Sequence, residues 1–354
     1  MRAAIVGGGT GGHVIPALAI ARELRHLYAA EIIFVGTNRG IETRLVPPSG
    51  FELRLVQVGQ LKGVSLARRA RTLSDIPRAL LACCKIFAEF RPQVVIGVGG
   101  YASGPGMLTA LLMRIPTLAF EPNLVPGFAN RVVARYVSAA AVHFEQTKKF
   151  FGNARVTGVP VRQEFFSIAQ RRFSPPGSLL VFGGSQGARI LNQTMIDAIP
   201  KWRELGIKIR HQTGERDFER VEAAYTQADL QVQVNRFIDD MPSAFAEADA
   251  VLCRSGASTV AEITAAGKPA VFVPFKLAAD DHQLKNAQAL ESAGAARLIP
   301  ESQLNPARLS AVVAEMLGDP AVLASMSDKA RSLAHPNAGK EIAELAARIA
   351  KNGT

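Results

Sequence analysis

Cysteine is scarce in this 354-residue chain. Cys83, Cys84 and Cys253 cannot build a disulfide framework for a protein of this length, and no metal-binding spacing accompanies them. They read as small buried hydrophobes in a reducing compartment. Aromatic residues are also few, at 6%, and no basic run carries the interleaved Phe, Tyr or Trp on which single-stranded nucleic acid would stack. No long apolar run is present either. The longest, residues 107–120, is interrupted by Arg114 and Pro116 and falls short of the roughly 20 residues that span a bilayer. The first residues, Met1-Arg2-Ala3-Ala4-Ile5-Val6, read as a strand and not as a signal peptide.

What is abundant is positive charge, and it is confined to one half. The net charge is +11, yet residues 1–162 hold 20 Lys+Arg against 8 Asp+Glu, while residues 163–354 hold 21 against 22. A one-sided field of this kind suits an anionic partner, and with nucleic acid disfavoured by the aromatic count the better candidate is a membrane surface or lipid-linked substrate. Residues 61–91 concentrate the signal, with 7 basic and 2 acidic residues among Leu, Ile, Ala and Phe. Such a segment is either an ordinary helix with its apolar side in the core or an interfacial patch.

Strand and helix signals alternate from the start. Apolar runs at 3–6, 31–35 and 94–98 are separated by amphipathic stretches, with Pro16 read as lying early in the first helix. The pattern restarts after the breaker-rich 171–177, with runs at 178–182, 207–210, 230–234, 250–252 and 270–273, and a helix beginning at Arg189. Two strand, glycine-loop, helix openings, Gly7 to His13 and Gly183 to Ala188, predict two Rossmann-like α/β domains with parallel sheets facing across a cleft. Their expected extents are 1–161 and 162–336. An Ala-rich helix within 337–354 is expected to return to the first domain.

The first loop satisfies G-x-G-x-x-G, but a nicotinamide site also needs an acid at the end of the second strand, where this chain has Val35-Gly36-Thr37-Asn38. What remains is a backbone suited to anions. His13, at the carboxyl edge of the first strand, is a candidate for proton transfer or leaving-group stabilisation. Glu262, early in a helix after a small-residue loop, either complements the helix dipole or accepts ribose hydroxyls. Gln283 and Asn286, three apart, share a helix face suited to sugar hydroxyls. Asp280, Asp281 and His282 read as helix-start residues and not as a metal site.

Taken together, the segments Gly8 to His13, Gly99 to Pro105, Glu121-Pro122-Asn123, Gly158 to Arg162, Gly183 to Arg189, Phe237 to Met241, Arg254 to Ala257 and Ala279 to Gln283 resemble the MurG family of peripheral membrane glycosyltransferases of peptidoglycan synthesis. The motifs run in order from residue 7 to about 290. The resemblance implies a GT-B fold and transfer of N-acetylglucosamine from UDP-GlcNAc to the muramoyl 4-hydroxyl of lipid I, giving lipid II with inversion, without metal or cofactor, at the cytoplasmic face of the bacterial plasma membrane. It further implies that Arg162 and the Ile238 backbone hold uracil, Glu262 the ribose, and Ser185 with the amides of Ala257, Ser258 and Thr259 the diphosphate. Gln283 and Asn286 would hold the donor sugar, with Thr10, Gly11, Gly12, His13 and Asn123 near donor sugar and acceptor. Either His13 or Glu121 would be the general base. One departure stands out, because Phe120 and Pro122 occupy positions where the family usually has His and Gln.

Overall fold

The computed structural model describes residues 1–58, 66–169, 173, 175–184, 187–278 and 281–352, with the side chains of 66–75 outside that description. The chain forms two compact units, Met1–Val161 with Asn337–Thr354, and Arg162–Pro336.

In the first unit seven strands form one sheet: β1 (Arg2–Val6), β2 (Glu31–Gly36), β3 (Glu52–Leu55), β4 (Val94–Gly97), β5 (Thr117–Glu121), β6 (Ala139–Val142) and β7 (Ala154–Val156). Their order is β3-β2-β1-β4-β5-β6-β7, with every pairing parallel. The order reverses between β1 and β4, which opens a crevice at their carboxyl ends. The second unit repeats the plan with β8 (Ser178–Phe182), β9 (Lys208–Gln212), β10 (Val232–Asn235), β11 (Ala250–Cys253), β12 (Ala270–Phe272) and β13 (Ala296–Leu298). Its parallel order, β10-β9-β8-β11-β12-β13, reverses between β8 and β11.

Each sheet is covered by helices, so its central strands are apolar throughout. Ala3 to Val6 are all fully buried, as are Leu180, Val181, Val251 and Leu252. Trp202 anchors the second core, with its indole N–H donating to the Met195 carbonyl at 3.0 Å.

Two local expectations gain detail and one, for Cys84, needs correction. The first helix, Gly11–Tyr28, begins before Pro16, so this proline sits in the second turn and removes the amide that would have bonded to the Gly12 carbonyl. The run 107–120 is two elements, the helix Ser103–Leu112 and strand β5, because Arg114 and Pro116 turn the chain between them. Cys83 and Cys253 are buried, but Cys84 is exposed on the outer side of helix Leu66–Phe90, its thiol 3.8 Å from the Met113 sulfur. Among the described residues no single helix is long and apolar enough to cross a membrane.

The last helix, Ala338–Asn352, lays Ile342, Ala343, Leu345, Ala346 and Ala350 against Gly11–Tyr28 and the β4 and β6 strands. Its alanines permit close approach, and Ile342 is fully buried. Ile342→Ala is expected to cost about 2–5 kcal/mol of first-unit stability, read as a lower urea midpoint at unchanged m-value. An unshifted midpoint would show that this helix does not support the first domain.

Candidate functional site

In the first unit the loops after β1 and β4 meet backbone to backbone. Gly7 N–H donates to the Val35 carbonyl at 3.0 Å and Gly8 N–H to the Gly99 carbonyl at 3.1 Å. A Cβ on Gly7 would lie 2.3 Å from the Gly99 oxygen, and one on Gly100 would lie 2.2 Å from the Gly8 oxygen. Only glycine fits this crossing.

The crossing places His13, half-buried in the first turn of Gly11–Tyr28 with Gly11 and Gly12. Its Nδ1 is 3.1 Å from the Gly8 carbonyl and 3.2 Å from the Thr10 hydroxyl. A carbonyl oxygen only accepts, so the Gly8 bond requires the proton on Nδ1 and leaves Nε2 as a lone pair. Burial pushes the His13 pKa down, opposed by the Gly8 carbonyl and by Glu42. Burial thus favours the neutral ring, with Nε2 as an acceptor.

Glu121, the other candidate base, has a different occupation. Its Oε1 accepts from the Asn123 N–H and Nδ2, both at 3.0 Å, and its Oε2 accepts from the Gly127 N–H and Asn130 Nδ2, both at 2.9 Å. It is 2% exposed. Burial pushes its pKa up, against the pull of these donors. Both Glu121 oxygens are thus engaged within residues 121–130, and Asn123 is held by it. Phe120 and Pro122, where the sequence departs from the family pattern, are buried beside it.

Sequence reasoning missed Glu42. Its carboxylate accepts from the Gly9 N–H at 2.7 Å and from the N–H and hydroxyl of Thr37 at 2.9 and 3.0 Å. The signal available was an acid closely following two glycines, Gly36 and Gly40, at the end of the second strand.

In the second unit the loop Gly183 to Ala188 enters helix Arg189–Asp197, with Gly187 N–H bonded to the Gly184 carbonyl at 2.9 Å. Ser185 lies outside the described residues. Gln212, at the end of β9, was also missed. It donates from Nε2 to the Gly184 carbonyl at 3.2 Å and accepts the Ile238 N–H on Oε1 at 2.9 Å, joining the loop after β8 to the peptide after β10. Its neighbour His211 lies between Tyr225 and Asn192, where burial pushes its pKa down to about 3 and keeps it a neutral brace.

After β11, Gly256 precedes helix Ala257–Ala266, so the amides of Ala257, Ser258 and Thr259 form its open first turn. The Ser258 hydroxyl is buried with no partner among the described residues. One turn on from Ser258, Glu262 is half-buried; burial pushes its pKa up to about 7 while Arg162 pulls it down. Arg162 itself lies over the Phe165 ring at 5.2 Å.

Helix His282–Ser292 is tied to the same loop. Ser255 donates to the Gln283 carbonyl at 2.7 Å, and Asn286 Nδ2 donates to the Ser255 carbonyl at 3.3 Å. Asn286 is fully buried, and its amide braces the helix against the loop. Gln283 is half-buried, with Oε1 accepting the Phe275 N–H at 3.0 Å. A cavity of about 590 Å³ in this unit lies elsewhere, at the amino ends of β8 and β9 beside Pro175, Lys208, Arg210 and Asp249. Parallel sheets bind ligands at the opposite edge. Among the described residues no group of three or more His, Cys, Asp or Glu is arranged to hold a metal ion.

The raised Glu262 pKa has a sign that can be checked. An unfolded glutamate titrates near pH 4.3, so between there and about 7 the native state keeps a proton that the unfolded state has lost, and stability falls as pH rises through this window. Relative to Glu262→Gln, the wild-type protein is expected to lose about 1 kcal/mol between about pH 5 and about pH 8, the partial exposure of the group reducing the full shift. Urea titrations that run parallel at every pH would contradict this.

Residues 3–142 match the glycosyltransferase family 28 N-terminal domain and residues 178–348 its C-terminal domain. A UDP-N-acetylglucosamine–N-acetylmuramyl-(pentapeptide) pyrophosphoryl-undecaprenol N-acetylglucosamine transferase of Solibacter usitatus is 46% identical, over 98% of this chain and 96% of that protein. The protein of the same name from Myxococcus xanthus is 44% identical, over 98% and 92%. Among solved structures, MurG of Acinetobacter baumannii superposes with a TM-score of 0.83 at 32% identity, over 98% of this chain and 99% of that one. A UDP-GlcNAc 2-epimerase of Neisseria meningitidis, at TM-score 0.68 and 13% identity over 98% and 100%, shares the fold alone. The expected GT-B fold, two Rossmann-like domains in one chain, is met by the two parallel sheets and these likenesses. From its glycine loops to its last helix, the chain belongs to glycosyltransferase family 28.

Proposed function

We propose that this protein transfers N-acetylglucosamine from UDP-GlcNAc to the 4-hydroxyl of the muramoyl sugar of lipid I, forming lipid II and UDP with inversion at the anomeric carbon. The observation that carries this reading is likeness along nearly the whole chain to transferases named for this donor and acceptor. In this reading the second unit holds the donor. Arg162 and the Ile238 peptide lie with the uracil, Glu262 with the ribose, and the first-turn amides of Ala257 to Thr259, with Ser185, receive the diphosphate. The unpartnered Ser258 hydroxyl suits an anion there. The Ile238 N–H is already engaged by Gln212, so its carbonyl is the group offered to the base. Gln283 reaches the donor sugar, with Asn286 holding its helix.

The first unit supplies the acceptor side, with Thr10, Gly11, Gly12 and Asn123 lining it. His13 Nε2 takes the proton of the acceptor hydroxyl as that oxygen forms its bond to the anomeric carbon. The bond from that carbon to the phosphate oxygen breaks, and its electron pair leaves with UDP. An oxocarbenium-like transition state of this kind is stabilised where charge develops on the diphosphate, and fixed amides at a helix start can do so without reorganising.

The protein would work as a peripheral enzyme at the cytoplasmic face of the membrane. Of the basic and apolar region 61–91, residues 61–65 and the side chains of 66–75 lie outside the described residues. The remainder continues onto neighbouring elements, because helix Leu66–Phe90 packs on Ser103–Leu112, and that helix on Phe128–Val133. Leu81, Leu112, Phe128, Val132 and Tyr136 are exposed there beside Arg114 and Arg135. Apolar insertion with basic attraction suits an anionic leaflet.

Two experiments test the reading. Incubation with labelled UDP-GlcNAc and a lipid I analogue is expected to move label into the lipid phase, and His13→Ala to lower kcat by about 100-fold or more with donor KM little changed. Donor binding without transfer would overturn the proposed activity. Separately, binding to vesicles containing anionic lipid is expected to weaken as salt is raised and to fall further in Leu81→Ser/Leu112→Ser. Salt-insensitive binding, or binding equal on zwitterionic vesicles, would remove the electrostatic part.

A further inference from the structure

Glu42 is 1% exposed and opens the short helix Glu42–Leu45 that follows β2. Space for its carboxylate is made by glycines. A Cβ on Gly40 would lie 1.9 Å from Oε2, and one on Gly8 would lie 2.5 Å from the carboxyl carbon. The anion-compatible backbone of the first loop is therefore occupied by an anion belonging to the chain itself.

The position of that anion matters for His13. The Gly9 N–H that donates to Glu42 and the Gly8 carbonyl that faces His13 Nδ1 belong to one peptide unit. An amide is conjugated, so a carboxylate on its N–H drives electron density onto its oxygen and strengthens that oxygen as an acceptor. A carboxylate that holds an imidazole directly fixes its tautomer and supports the cation formed on proton uptake. Here the same effect passes through one intervening amide. Thr10 sharpens the need for it, because its hydroxyl, also within reach of Nδ1, could donate to the opposite tautomer. On the far side of the ring, Nε2 lies over the bare Cα of Gly99, where a Cβ would sit 2.9 Å away. Among the described residues Glu42 is the ionised group acting on this imidazole; Gly8, Thr10 and Gly99, which also face it, are uncharged.

We propose that Glu42 is a positioning residue for glycosyl transfer, acting through the Gly8–Gly9 peptide to hold His13 with its proton on Nδ1 and its Nε2 lone pair presented to the acceptor hydroxyl. This deepens the function proposed above and rests on His13 being the base.

Glu42→Gln keeps an acceptor oxygen for Gly9 and removes the charge. In the full chain it is expected to lower the His13 pKa, followed by NMR of the ring, by at least about 0.5 unit. Turnover should fall about 10-fold, with the acidic limb of the kcat profile moved to lower pH and donor KM unchanged. In a His13→Ala background the same substitution should change nothing further. An unmoved His13 pKa, or an equal rate loss without His13, would overturn the proposal by making Glu42 a purely structural residue. A shifted pKa together with full activity of His13→Ala would instead overturn the assignment of the base, leaving the coupling without a catalytic use. Should Glu42→Gln fail to fold, ring nitrogen shifts of the wild-type protein decide the matter: Nδ1–H is expected, and a dominant Nε2–H form would overturn the proposal.

Discussion

At the carboxyl ends of parallel strands the sheet runs out of partners, and every backbone N–H in the loops beyond must find an acceptor elsewhere. The two units meet this constraint in opposite ways. In the first, buried carboxylates do it: Glu42 receives the amides of Gly9 and Thr37, and Glu121 those of Asn123 and Gly127. In the second, among the described residues no buried side chain is a carboxylate, and the loops are joined by the neutral groups of Gln212, Ser255 and Asn286. In the first loop the Gly9 amide is thus engaged by a side chain of the chain itself, whereas after β11 the amides of Ala257 to Thr259 stand at an open helix start.

This division reframes the charge asymmetry. The second half is nearly neutral, and in the proposed reading a diphosphate is met there by oriented dipoles at close range, which need no net charge. The first half carries its surplus on the outside while holding negative charge inside, so its basicity is a property of the surface. A long-range field of that kind brings a protein to an anionic surface, whereas contacts at the loops decide what is bound there.

Much of the architecture was legible because both domains open with the same strand, glycine loop and helix, and those signals are local. Strand β6, Ala139–Val142, was not: three alanines carry no β-branched signature, and the segment is a strand because it fills a narrow slot between β5 and β7. Strand β5 ends an apolar run whose break at Arg114 and Pro116 is visible in the sequence, while its period does not separate helix from strand. Within the site, spacing put Gln283 and Asn286 on one helix face, but spacing does not say which way that face is turned, and for Asn286 it is inward. Glu121 was recognisable as a special acid, while its commitment depends on Asn123, Gly127 and Asn130 folding back on it. Glu42 and Gln212 were missed for a shared reason, since each also binds a peptide from another strand's loop, Gly9 for Glu42 and Gly184 and Ile238 for Gln212, a meeting that exists only once the sheet has formed.

The return of the last helix to the first domain has a consequence for biosynthesis. Residues 162–336 form a continuous unit that is complete as soon as it leaves the ribosome, whereas the first sheet, although made earlier, waits for Ala338–Asn352 to cover Gly11–Tyr28. Domains generally fold as units as the chain emerges. The second unit can therefore be complete before the first, whose helix Gly11–Tyr28 keeps its apolar side uncovered until residues 338–352 have been made.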